Sequence, residues 1–351
     1  MPLHWLRGRK SSGARPRQLD SDSARHYISA LYQNLLRRDA APREIEPWVR
    51  FLLAGNPTEK VFYSFVASEE YKLKSKVSTL YPAGHYHSPI VDPNTVGPYV
   101  ASERHITDHK ITGVPLPLDD MVAFWKRSSS LIAATPFQDA ALPDKRFYYN
   151  NIFPYGDAIG LRAMIADLRP RTVVEIGSGF SSACMLDCAD EFGLQTQFTF
   201  IDPYPERLKQ LLRKEDLAKA TIIEAPVQET DLSLYASLNA GDILFIDSTH
   251  VLKTGSDVHY ELFHILPALR SGVVVHFHDI QYPFEYPDQW IFEDNYSWNE
   301  IYALRAFLMY NTEFRIRFWG SCLAHERKDL VRETLPLFLK NPGGSIWIDR
   351  I

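Results

Sequence analysis

Cysteine is scarce in this chain: Cys184, Cys188 and Cys322 are the three among 351 residues. So odd and sparse a set is no disulfide framework, and the expected compartment is the cytoplasm. Cys184 and Cys188 stand one helical turn apart and read as small core residues. Long apolar runs are also missing, and no stretch approaches the roughly 18 residues a membrane span needs. There is no surplus of positive charge: the formal net charge is -5, which gives no general pull toward nucleic acid. The opening stretch MPLHWLRGRKSSGARPRQ is basic and Ser/Gly-rich, without the long apolar core of a secretory signal. Residues 1–22 are therefore expected to form a disordered basic tail. No fixed-period repeat or long low-complexity tract stands out.

What remains is a globular composition, 45% hydrophobic, with length for one large domain and a smaller unit. Residues 23–75 read as a helical module. ARHYISALYQNLLRR places Tyr27, Ala30, Leu31 and Leu35 on one helical face. EIEPWVRFLLAG closes on Gly55, a helix C-terminal signal. PTEKVFYSFVASEEYK opens on Pro57 and Thr58 and turns Val61, Phe62, Phe65 and Val66 inward. The order LYQNLLRRDA, PWVRFLLAG, FVASEEY resembles a short bacterial helical domain found in phycobilisome-linker-like and surface-associated proteins. That resemblance implies protein contact or placement and no chemistry.

Residues 76–145 are rich in Pro, Gly and His. YPAGHYHSPIVDP reads as loop, and MVAFWKRSSSLI as a helix within a linker and substrate-cap region. From residue 146 to 351 the texture alternates. β-branched runs stand at TVVEIGS, FTFIDP, ATIIEA, DILFIDS and GVVVHFHD, with helical segments between them, and FRIRFWGS and GSIWIDR follow. This pattern predicts an α/β fold whose parallel sheet is buried on both faces. RKDLVRETLPLFLK is the one candidate helix between the last two strands.

EIGSGFSS leaves the first strand and opens a helix. Gly177 and Gly179 let the backbone turn tightly near a ligand, and the helix N-terminus favours anionic groups. A dinucleotide fingerprint wants a third glycine where Ser182 stands. Asp202 ends the next strand, where a carboxylate can accept hydrogen bonds from ribose hydroxyls or cap the following helix. Asp247 ends the fourth strand, on the side where open α/β sheets bind ligands, with His250 in the same loop. His278 and Asp279 end the fifth strand beside it. Strand alternation puts His276 and His278 on one face and Phe277 and Asp279 on the other, so the strand must twist or stop for both His278 and Asp279 to line a site. His276 reads as a satisfied core histidine.

These motifs, with NNIFPYGDAIGLRAMI, VVVHFHDIQYPFEYPDQW, WNEIYALRAFL and the upstream YPAGHYHSPI, follow one another as in a bacterial family of class I S-adenosylmethionine-dependent methyltransferases, which the chain resembles from about Leu80 onward. The resemblance implies a Rossmann-like seven-stranded sheet with an antiparallel last strand, which GSIWIDR fits. It implies S-adenosylmethionine as cofactor, held by Glu175, Gly177, Ser178, Gly179, Asp202, Gln228 and Asp247, with Glu175 serving the ammonium, often through water, and Gln228 the adenine. It implies a hydroxyl acceptor on a sugar, polysaccharide or natural product. His250, His278 and Asp279 are the catalytic candidates, either imidazole as general base. Relatives with magnesium use acids after strands four and five, so Asp247 and Asp279 are candidate metal ligands. His278 replaces an oxygen ligand there, which favours Mn, Fe or Zn over magnesium. His85, His87, Tyr155 and Tyr282 are the substrate candidates, and IQYPFEYPDQW a candidate pocket wall. Asp157 is expected to close over the donor or to cap its helix. Two other classes stay open: an NAD-dependent sugar oxidoreductase, and a non-catalytic scaffold acting through residues 23–75. The expected partners are a small-molecule or glycan acceptor and a protein bound by residues 23–75, with neither nucleic acid nor a membrane span.

Overall fold

The protein is described from a computed structural model, which describes residues 20–71, 81, 83–107 and 111–351. The basic-tail reading lies outside these residues up to position 19. The chain divides into two compact units, Met1–Pro82 and Ala83–Ile351.

The first unit holds α1 (Ser21–Asn34), α2 (Pro42–Leu53) and α3 (Thr58–Ala67). Asp20 caps α1 by accepting from the Ser23 amide at 2.7 Å, so the helix begins inside the stretch expected to be tail. Gly55 follows α2 with φ +84°, the left-handed exit that glycine allows. Ala24, Ile28, Leu31 and Tyr32 face inward from α1, with Val49, Leu52, Val61 and Phe65 against them. The buried stripe is therefore rotated from the expected one: Tyr27, Ala30 and Leu35 are only half-buried. Phe62, expected inside, is 40% exposed, because a ten-residue helix turns one narrow face to so small a core.

The second unit is built on a seven-stranded sheet in the order β3-β2-β1-β4-β5-β7-β6. The strands are β1 (Thr172–Ile176), β2 (Gln197–Ile201), β3 (Ala220–Ile223), β4 (Ile243–Ile246), β5 (Val274–Phe277), β6 (Phe314–Trp319) and β7 (Ile346–Arg350). β1 to β5 pair in parallel, and β7 runs antiparallel to both β5 and β6. All four residues of β4 and of β5 are buried, as helix-covered faces require. The helices used below are α4 (Pro93–Thr107), α5 (Leu118–Arg127), α6 (Tyr155–Leu168), α7 (Phe180–Glu191) and α8 (Glu300–Leu308). Between β6 and β7 the chain makes two short helices, Gly320–Glu326 and Lys328–Thr334. Buried Arg146 joins Asp187 of α7 to Asp216, at 2.8 and 2.5 Å, and fastens the start of the strand–helix region to its first helices. Cys184, Cys188 and Cys322 are buried and free. Among the described residues no helix is long and apolar enough to cross a membrane.

Candidate active site

The turn after β1 leaves no room for a side chain at one position. Gly177 has φ +79°, and a Cβ there would lie 1.8 Å from the Asp247 carbonyl oxygen. The loop is pressed onto the end of β4, which only glycine permits. The Ser178 amide donates to Asp202 Oδ2 at 3.0 Å, and the Tyr204 amide donates to Oδ1 at 2.7 Å. These bonds hold the Asp202 carboxylate at the rim of a cavity of about 360 Å³, whose wall includes Gly177, Asp202, Val227, Gln228, Asp247 and Asp257. Gln228 donates to the Gly255 carbonyl at 2.9 Å.

Glu175 does not reach this wall. It is fully buried and accepts hydrogen bonds from Ser181 Oγ at 2.5 Å and from Ser182 Oγ. Through these two serines Glu175 braces the glycine turn against the start of α7. Burial raises its carboxyl to about 8, against the pull of the two serine hydroxyls.

Beyond the cavity lies a cluster of acids and imidazoles. β5 stops at Phe277, and Asp279 takes φ +59°. That left-handed residue breaks the alternation, so His278 and Asp279 both turn toward Asp247. His278 Nδ1 lies 3.4 Å from Asp247 Oδ1 and 3.3 Å from Asp279 Oδ1. His250, itself at φ +60°, comes from the other side: its Nε2 lies 3.6 Å from Asp247 Oδ1 and 3.4 Å from Asp279 Oδ2. Its Nδ1 is 2.8 Å from Glu300 Oε2 at the start of α8. Burial works against charge on His250, but Glu300, Asp279 and Asp247 outweigh it and lift the ring to about 9. Burial also works against charge on Asp247, and His278 followed by His250 holds it down at about 2. His276 is fully buried, bonded through Nε2 to Ser345 Oγ at 2.8 Å, and lowered well below its ordinary value by burial. It belongs to the core.

Asp157 sits behind His278. It is the third residue of α6, after Pro154 at the cap position, so it does not cap the helix, and it lies outside the wall of the glycine-turn cavity. Its Oδ1 accepts from the amide and hydroxyl of Ser345, and its Oδ2 lies 3.4 Å from His278 Nε2. Gly343, at φ +75°, makes room for it, since a Cβ there would lie 2.1 Å from Oδ1.

The four substrate candidates lie elsewhere. His85 and His87 sit in the loop before α4 and line neither cavity near the cluster. Tyr155 donates its hydroxyl to Asp139 at 2.8 Å, and Tyr282 donates to Glu326 at 2.8 Å; each turns away from the cluster to satisfy its polar tip. A second cavity of about 340 Å³ is linked to the cluster through Trp298 of its wall. It is walled by Pro283 to Tyr286 and Trp290 from IQYPFEYPDQW, by Tyr296 and Trp298, and by Tyr99 of α4. Trp298 packs on His250 with ring centroids 4.4 Å apart. Sequence reasoning missed Trp298, Glu300 and Asp257, for which no spacing rule offers a signal.

Residues 174–280 match the family described as a methyltransferase domain, and residues 17–75 match a "Domain of unknown function (DUF4214)". An uncharacterised protein of Archaeoglobus fulgidus is 31% identical over 172 residues, 46% of this chain and 76% of that protein. A solved methyltransferase from Podospora anserina with bound S-adenosylhomocysteine has a TM-score of 0.37 at 13% identity, over 73% of this chain and 96% of that one. The O-methyltransferase TomG from Streptomyces achromogenes, in complex with S-adenosylmethionine, has a TM-score of 0.37 at 12% identity, over 71% and 96%. The domain match spans β1 to β5 and the whole glycine turn. With the sheet order and the antiparallel β7, it marks the second unit as carrying a methyltransferase domain.

Asp247, His250 and Asp279 each offer one ligand atom, and these lie within 4.8 Å of one another. The donor set fits a divalent metal. Glu300 backs the far nitrogen of His250, as carboxylates commonly back metal-binding imidazoles. The ring nitrogens of buried His278 and Oδ2 of Asp157 lack hydrogen-bond partners. The imidazole that joins the two acids in this group is His250, where the sequence pointed to His278.

Proposed function

We propose that the chain is a class I S-adenosylmethionine-dependent methyltransferase that O-methylates a hydroxyl of a sugar, polysaccharide or natural-product acceptor. One observation carries this reading: Asp247 belongs both to the cavity of the glycine turn and to the acid–imidazole cluster. A donor in that cavity therefore meets the cluster at its methyl end. The reaction is an in-line displacement. The acceptor oxygen bonds to the methyl carbon while the carbon–sulfur bond breaks, leaving the thioether S-adenosylhomocysteine. The donor is already activated, so alignment of donor and acceptor is the main task.

Asp202 is suited to the ribose hydroxyls, with Ser178 and Tyr204 fixing its carboxylate. Gly177, Ser178 and Gly179 bring bare backbone to the donor, and Gln228 stands on the wall where adenine would lie. In its neutral form His250, oriented by Glu300, takes the acceptor proton at Nε2, and Asp247 and Asp279 stabilise the imidazolium that results. His278, held between Asp157 and the two acids, is the alternative base. Bound by Asp247, His250 and Asp279, a divalent ion would supply Lewis-acid polarisation of the acceptor hydroxyl instead. We also read the helical unit as a contact module for a protein partner, supported by Phe62 and Tyr63, 40% and 66% exposed on α3, and place the enzyme in the cytoplasm.

Calorimetric titration with S-adenosylhomocysteine, with NADH as control, tests this. Micromolar binding of the former, lost in Asp202→Ala, is expected. Binding of NADH alone would overturn the reading. An acceptor screen with and without divalent metal follows.

A further inference from the structure

The cavity walled by Trp298 has a chemistry of its own. Tyr296 stacks on Trp298 with centroids 4.4 Å apart, and Trp290 meets Trp298 at 5.5 Å and 70°. These rings make broad apolar walls. Two charged side chains interrupt them, Glu285 and Arg305. Glu285 Oε1 already accepts from the Tyr286 amide at 2.9 Å and the Tyr302 hydroxyl at 2.5 Å, whereas Oε2 has no hydrogen bond among the described residues. Arg305 has no ion-pair partner among the described residues. These two charged groups thus give the cavity an open carboxylate oxygen, an open guanidinium and no net charge.

We infer that this cavity is the acceptor site and that it takes a single uncharged, hydroxylated ring, a sugar residue. The inference rests on the methyltransferase reading above and narrows its acceptor. A sugar ring has C–H faces for the indole and phenol walls and an edge of hydroxyls. Each hydroxyl both donates and accepts, so the same edge satisfies Glu285 and Arg305. A planar phenol or catechol would fill the walls, but with one hydroxyl given to the transfer it has at most one left and leaves Glu285 or Arg305 unpaired, which polar sites reject strongly. A carboxylated ring can pair with Arg305 only by adding a second negative charge beside Glu285, and an amino ring can pair with Glu285 only by adding a second positive charge beside Arg305. Trp298, in the cavity wall, packs on His250 and so joins that wall to the imidazole that takes the proton.

Tryptophan fluorescence of the full chain, saturated with S-adenosylhomocysteine, tests this. The titrants are methyl glycosides of glucose, galactose, mannose and rhamnose, then glucuronic acid, glucosamine and catechol. Saturable quenching by at least one neutral glycoside is expected. Glu285→Gln, Arg305→Gln and Trp290→Ala should each weaken it about tenfold or more, with affinity for S-adenosylhomocysteine unchanged. Tighter binding of catechol, glucuronic acid or glucosamine than of every neutral glycoside overturns the inference. So does glycoside binding indifferent to all three substitutions, or no glycoside binding by protein that holds S-adenosylhomocysteine. If the wild-type chain fails to bind S-adenosylhomocysteine, the methyltransferase reading falls first and the inference falls with it.

Discussion

Glu300 Oε2 lies 2.8 Å from His250 Nδ1, across fifty positions of chain, with both side chains buried. The loop after β4 is tied to the start of α8 at the same place, because the amides of Asn299 and Glu300 both donate to the His250 carbonyl at 3.1 Å. One imidazole is thereby fixed in position, with Nε2 left to face Asp247 and Asp279.

This pairing predicts how the two residues differ when changed. His250→Ala should lower kcat by about 10²–10⁴, the usual reach of a general acid or base. Glu300→Gln should lower it by about 10–100, the common cost of losing a group that orients an imidazole. Neither should move the affinity for S-adenosylhomocysteine. Steady-state kinetics beside calorimetry decides this. A Glu300→Gln variant that melts lower but keeps its kcat would make Glu300 a structural residue only.

Gly177→Ala should abolish donor binding. The new Cβ would lie 1.8 Å from a backbone oxygen at φ +79°, so the turn and the end of β4 must separate. A non-glycine residue in the left-handed region costs roughly 1–2 kcal/mol before any clash. A fall in melting temperature is expected, with S-adenosylhomocysteine affinity reduced at least a hundredfold. Gly193→Ala, also at positive φ but in open space, is the control that carries the strain without the clash.

Most of the sheet was legible because parallel strands covered on both faces are written as unbroken β-branched runs, and β7 followed from the resemblance. The glycine turn and Asp202, Asp247, His278 and Asp279 were legible because strand ends in such sheets carry the chemistry. Glu300 and Asp157 were not. Each approaches an imidazole from a distant helix start, and only the folded chain sets that distance. The aromatic residues were harder still, since Tyr155, Tyr282 and Trp298 look alike in sequence. Partners for the polar tips decide their direction: Asp139 and Glu326 draw the two tyrosines away, while Trp298 packs on His250.

The mixed donor set of Asp247, His250 and Asp279 predicts metal preference. Magnesium favours oxygen ligands, whereas manganese, iron and zinc accept imidazole readily. A ligand that binds the folded state raises the melting temperature. Manganese or zinc should therefore raise it more than equimolar magnesium, and Asp279→Asn should remove the shift. Equal shifts in the variant would place the ion elsewhere. Turnover that survives exhaustive chelation would leave proton transfer to imidazole alone.

Glu175 predicts a pH dependence of stability with a definite sign. Burial lifts its carboxyl from 4.5 to about 8. Between those two values the folded chain keeps a proton that the unfolded chain has released. Stability must then fall as pH rises through this window, by at most about 1.4 kcal/mol per pH unit, and level off above it. Glu175→Gln keeps the shape and stays neutral, so this contribution is absent from it. The variant should gain on the wild type steadily from pH 5 to pH 8, read as the difference between their urea midpoints. The difference is informative because other titrating groups cancel from it. Parallel curves would mean that Glu175 is ionised throughout, held so by the hydroxyls of Ser181 and Ser182.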